Sequence, residues 1–97
     1  MLVHAVYFWL KPDLAPEDVR RFEEKANALL TVPSVAHGWL GKPATTDRPV
    51  IDRSYSYALV LVFPDMAAHD VYQDHPVHTD FRTCSALWNT VKIYDSI

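Results

Sequence analysis

The sequence predicts an α+β fold of the ferredoxin-like type, βαββαβ, with one four-stranded antiparallel sheet and its helices on one face. Three observations carry this. An almost wholly apolar run opens the chain at Leu2–Leu10, and a second, YSYALVLVF, spans Tyr55–Phe63. Each is followed by a proline-marked segment whose apolar residues recur at spacings of three and four. A chain of 97 residues, 49% hydrophobic and 22% charged, has room for one such domain, residues 1–97, and not for two.

The elements follow in order. Leu2–Leu10 reads as a strand with apolar residues on both faces, closed by Lys11-Pro12. Pro16 suits the first position of a helix, and Glu17 and Asp18 suit the positive end of its dipole. Val19, Phe22, Ala26, Leu29 and Leu30 form its apolar stripe, and Thr31-Val32-Pro33 ends it. Val35–Lys42 (VAHGWLGK) predicts a second strand, in which Gly38 and Gly41 point to a bulge or an edge. Pro43–Arg53 is the one long loop. Tyr55–Phe63 is the third strand, and Asp65 is placed to cap the helix after it. Pro76 breaks that helix and opens another, in which Val77, Phe81, Cys84 and Trp88 keep a helical spacing. Thr90–Tyr94 closes the sheet.

Alternation along the first strand puts Leu2, His4, Val6 and Phe8 on one face and Val3, Ala5, Tyr7 and Trp9 on the other. Helices on one side leave the second face uncovered, which predicts a homodimer with sheets packed face to face. The net charge of −3, with basic residues scattered, offers no stripe for phosphates, so no nucleic-acid partner is expected. Cys84, the single cysteine, rules out an internal disulfide framework and points to the cytoplasm. MLVHAVYFWLKP lacks a basic leader and a cleavage site, and no run is long enough for a membrane span, so no membrane partner is expected.

The densest chemistry lies in YQDHPVHTDF, Tyr72–Phe81. A histidine such as His78 suits removal of a proton beside a carbonyl, and a phenol such as Tyr72 suits donation to the oxygen that gains charge. The plainer alternative makes Tyr72 a core residue and His78 a surface or capping residue. Spacing alone leaves both open. His75, before Pro76, is expected to serve a helix end, and His4 needs either a hydrogen-bond partner or a cavity to face. His69, His75 and His78 with Asp70, Asp74 and Asp80 match no established zinc spacing, so no metal is expected. Cys84 reads as a core thiol.

MLVHAVYFWLKP, FPDMAAHDVYQDHPVHTDF and VKIYDSI together resemble the stress-responsive dimeric α/β-barrel (Dabb) family over nearly the whole chain. The most specific piece is Tyr72…His75-Pro76-x-His78. The resemblance implies a ferredoxin-like fold dimerised into a barrel. It also implies, through a plant polyketide cyclase of the family, olivetolic acid cyclase, a cofactor-free ring closure with His78 and Tyr72 in the catalytic positions and His4 in the pocket. Where that cyclase has a further pocket histidine this chain has Tyr57, so the substrate does not carry over. The expected substrate-binding set is His4, Tyr57 and His75 with Phe8, Leu59, Phe81 and Trp88.

Three functions fit these residues. The first is a lyase or cyclase, without cofactor, acting on a small polyketide-like or aromatic carbonyl compound. The second is a non-catalytic stress-responsive dimer that binds a small apolar ligand. A cofactor-independent monooxygenase is the third.

Overall fold

In the computed structural model, which describes residues 1–97, the elements are β1 (Leu2–Leu10), α1 (Pro16–Leu29), β2 (His37–Gly41), β3 (Tyr57–Phe63), α2 (Met66–Gln73), α3 (Pro76–Arg82), a 3-10 turn (Ser85–Leu87) and β4 (Trp88–Ser96). The four strands form one antiparallel sheet in the order β2-β3-β1-β4. β1 therefore lies between the clearest strand of the sequence and the last one. Its register pairs Val6 with Leu59 of β3 and with Ile93 of β4, so these three side chains share a face.

The even-numbered residues of β1 from Leu2 to Phe8 are buried under the helices, at 2% exposure for Leu2, 3% for His4, 5% for Val6 and 2% for Phe8, and Leu10 at the strand's end is half-buried. Phe22, Ala26 and Leu29 of α1 close over them, each fully buried. Aromatic rings lock this layer: Phe8 meets Phe22 edge to face at 5.1 Å, and Phe81 of α3 reaches both. Burial of side chains this size is worth about 1.5–3 kcal/mol each.

The helix signals behave as their chemistry requires. Pro16 opens α1 with Glu17 and Asp18 in the first turn. Asp65 caps α2 by accepting from the Ala68 backbone N–H at 2.8 Å. At the proline break, His75 caps α3 by accepting from Val77 N–H at 3.1 Å, and Pro76 takes the first helical position. The break makes three helices where two would complete a plain βαββαβ pattern.

One expected stripe is corrected. Val77, Phe81, Cys84 and Trp88 do not share a helix, because α3 ends at Arg82 and Trp88 begins β4. The Thr83 hydroxyl donates to the Asp80 carbonyl at 2.6 Å, and the 3-10 turn then redirects the chain. Trp88 pairs with Leu10 at the sheet's one irregularity, between Trp9 and Leu10, and stacks on Phe81 at 5.5 Å. The last strand is also longer than Thr90–Tyr94.

β2 is shorter than expected and lies at an edge, with no bulge in its pairing and no positive-φ glycine. The glycines answer to space instead. A Cβ on Gly38 would stand 2.7 Å from Leu61 Cδ2 and 2.9 Å from Leu30 Cδ2, whereas one on Gly41 meets nothing within 4 Å. On the face away from the helices, Trp39 remains 55% exposed and Tyr94 61%. Urea unfolding should show Gly38→Val losing about 1–3 kcal/mol through overpacking, with Gly41→Ala within about 0.5 kcal/mol of the parent; equal losses would contradict this packing.

Candidate functional site

On the helix side of the sheet, α2 and α3 stop short of β4. Val91 and Ile93 consequently stay 39% and 53% exposed although they share a face with buried Phe8 and Val6. The gap is a cleft of about 430 Å³. Phe8, Leu59, Phe81 and Trp88 supply much of its apolar wall, and His4, Tyr72 and His78 line it as well. Seven of the nine residues expected at the site are thus brought together.

Tyr57 and His75 are not among the lining residues. The Tyr57 hydroxyl donates to Glu23 Oε2 at 2.6 Å, and burial and this acceptor raise its pKa well above the usual phenol range. His75 spends its Nδ1 on the cap of α3.

Tyr72 and His78 lie on either side of the Pro76 break, their ring centroids 4.9 Å apart and edge to face. Tyr72 is 1% exposed, and burial alone lifts its pKa far above the phenol range, so the hydroxyl keeps its proton. No protein hydrogen bond contributes to that shift. His78 is half-buried, and its Nδ1 is shut off from water without a hydrogen-bond partner. Burial holds the His78 pKa below the ordinary histidine value, and the Arg82 charge adds to the effect; the Gln73 carbonyl pulls weakly the other way. The pair therefore presents a neutral imidazole beside a protonated phenol.

His4 finds both a partner and a cavity. Its Nδ1–H donates to Asp95 Oδ1 at 2.6 Å, and its ring meets Tyr72 edge to face at 6.0 Å. Burial, the largest influence on His4, keeps its pKa low despite the carboxylate, so the contact is a hydrogen bond from a neutral imidazole rather than an ion pair. His69 turns inward with 12% of its side chain exposed and packs 5.1 Å from the His4 ring. Its Nε2 accepts from the Gln73 amide at 3.1 Å. Ligand-capable atoms of His4, His69 and Asp95 all fall within 4.8 Å of one another, the arrangement best placed to hold a cation. His75 and His78 have no part in it.

Sequence reasoning missed Gln73, Arg82, Val91 and Ile93 as lining residues. Arg82 follows His78 by four, which places both on one face of α3, and Val91 and Ile93 alternate with Asp95 on β4. His69 precedes Tyr72 by three, the spacing that lets their rings approach.

Fold and cleft together define a ferredoxin-like α+β protein with a polar-floored apolar pocket between sheet and helices. More narrowly, the chain belongs to the stress-responsive A/B barrel domain (Dabb) family, whose model matches residues 2–97. A Dabb protein of ferredoxin-like fold from Mesorhizobium loti is 26% identical and superposes with a TM-score of 0.77 over 99% of this chain and 94% of its own. A hydroxynitrile lyase from Passiflora edulis superposes with a TM-score of 0.80 at 16% identity, over 99% of this chain and 91% of the lyase. A dimeric ferredoxin-like protein of unknown function from Thermobifida fusca gives 0.78 at 18% identity, over 98% and 88%. These last two share the fold. No curated protein sequence matches significantly.

Buried neutral histidines make stability depend on pH with a defined sign. An unfolded histidine takes a proton near pH 6.5, while His4 and His78 resist it in the folded chain, so below that pH the unfolded state binds more protons. The stability they contribute is complete above about pH 6.5 and is lost as pH falls through their lower folded values. Melting scans from pH 8 to pH 5 should show the midpoint falling below about 6.5, less steeply in His78→Gln; a midpoint that rises on acidification would contradict this.

Proposed function

We propose that the cleft holds a small apolar or aromatic carbonyl compound and that His78 and Tyr72 act on it as an acid/base pair, in a lyase or cyclase reaction without cofactor. The observation that carries this reading is the pair of rings that line one largely apolar cleft, His78 and Tyr72 edge to face at 4.9 Å, with no protein hydrogen bond acting on the Tyr72 hydroxyl. Polar groups in an apolar pocket are normally satisfied, so a phenol without a protein partner beside an imidazole points to a ligand that completes it.

His78 takes a proton from the carbon beside the carbonyl. The C–H electron pair moves into the enolate, and the Tyr72 O–H donates to the oxygen that gains the charge. The enolate carbon then attacks a second carbonyl, or expels a leaving group, and the imidazolium returns its proton to the oxygen or group that received the electrons. His4, held by Asp95, offers its other ring nitrogen to the same space. The Passiflora edulis protein, a hydroxynitrile lyase, supports lyase chemistry on this scaffold. The other reading is a binding protein without turnover, which the same cleft would serve.

We also propose a homodimer formed through the uncovered sheet face, where Trp39 and Tyr94 are exposed and Tyr7 and Trp9 half-buried. The dimeric protein from Thermobifida fusca supports that assembly. A cytoplasmic place fits the free, buried Cys84. No helix is long and apolar enough to cross a membrane.

Exchange of the α-protons of 1-phenyl-1,3-butanedione into D2O, followed by proton NMR, tests the acid/base pair. His78→Ala should lower the enzyme-dependent rate about 10²–10⁴-fold, and Tyr72→Phe about 10²–10³-fold. Full rate in a folded His78→Ala would remove His78 from the mechanism, and no exchange by the parent would favour binding alone. Sedimentation should give about twice the 11.1 kDa chain mass, falling to one chain in Val60→Asp; a parent monomer at micromolar concentration would contradict the dimer.

A further inference from the structure

Among the lining residues of the cleft, Arg82 alone carries a formal charge when the histidines are neutral. It stands at the end of α3, exposed, with its charge at the cleft mouth. No carboxylate forms a salt bridge with it. Asp80, two residues earlier, is taken by Lys25 of α1 at 2.6 Å, and the other carboxylates in such contacts meet histidines, Asp95 with His4 and Asp70 with His69. Arg82 thus puts an unpaired positive charge on the cleft lining in a chain whose net charge is −3. A basic residue in a last helical turn suits the helix dipole, which accounts for the residue type but not for its place over the cleft.

Resting on the reading of the cleft as a ligand site, we infer that its occupant is an aromatic or otherwise unsaturated carboxylic acid, with the carboxylate held by Arg82 at the mouth and the apolar body against Phe81, Trp88 and Ile93. Arg82 follows His78 by one helical turn, so their Cβ atoms are about 5–6 Å apart. An acid anchored on the guanidinium therefore presents the atoms next to its carboxyl group to His78 and Tyr72. The planar fork of arginine matches a carboxylate in two parallel hydrogen bonds, which sets orientation as well as affinity. A volume of about 430 Å³ accommodates a fused two-ring acid with space for water.

The test compares 2-naphthoate with 2-naphthamide, equal in shape and different in charge, by calorimetry and by chemical shifts of His78 and Trp88. Naphthoate should bind about tenfold more tightly or better, the difference should vanish in Arg82→Gln, and Arg82→Lys should keep part of it. Both ligands should shift His78 and Trp88. Equal affinity of the two for the parent protein would overturn the anion reading while leaving the cleft as a ligand site. A preference for naphthoate that persists in Arg82→Gln, or that comes without movement of His78, would overturn it as well. Binding of neither compound would count against both the acid and the cleft.

Discussion

Side chains alternate along β1, and because β1 is paired on both edges, that alternation assigns every neighbouring side chain to one of two faces. Leu2, His4, Val6 and Phe8 go under the helices, and the register carries Leu59, Leu61, Val91, Ile93 and Asp95 with them. A slip of one residue would send this whole set to the opposite face and bring Tyr7 and Trp9 inward. The apolar pairs leave no such freedom. They also drive His4 into the core, where burial would be costly were Asp95 not at 2.6 Å to accept its proton.

The proline break between α2 and α3 is the second determinant of the site. A continuous helix would set residues six apart, such as Tyr72 and His78, on widely different faces. Ending α2 at Gln73, capping with His75 and restarting at Pro76 turns α3 so that His78 faces the ring of Tyr72. His75 contributes to the site by capping, without lining the cleft. The same turn lets Phe81 reach Phe8 and Phe22, so the orientation of His78 is tied to the packing of the core.

Much of this was legible in the residues. The apolar runs of β1 and β3, Pro16, Asp65 and Pro76 are strong local signals, and each marks its element or boundary in the structure. Trp88 misled because its distance from Phe81 and Cys84 suits a helix; the turn at Ser85–Leu87 has no comparable signal, and strand pairing with Leu10 decides the matter. His69 gives no local sign of its inward turn. Its spacing from Ala68 and Val71 places it off their stripe, but a short helix at the edge of a sheet presents a second flank to His4 and Phe63. The pairing of His4 with Asp95 spans 91 residues, and no local pattern announces it. Arg82 went unremarked because only the gap beside β4 gives its charge a cavity to face.

Everything proposed for the cleft rests on His78 being a neutral base that lines a fillable space beside Tyr72. Two-dimensional 15N–1H NMR of the histidine rings, recorded across pH with and without an aromatic ligand, reads protonation and partner together. The account predicts that His78 titrates below the ordinary value of 6.5 and that its ring resonances shift when the cleft is filled. A His78 that titrates at or above 6.5 and does not respond to any cleft ligand would contradict it.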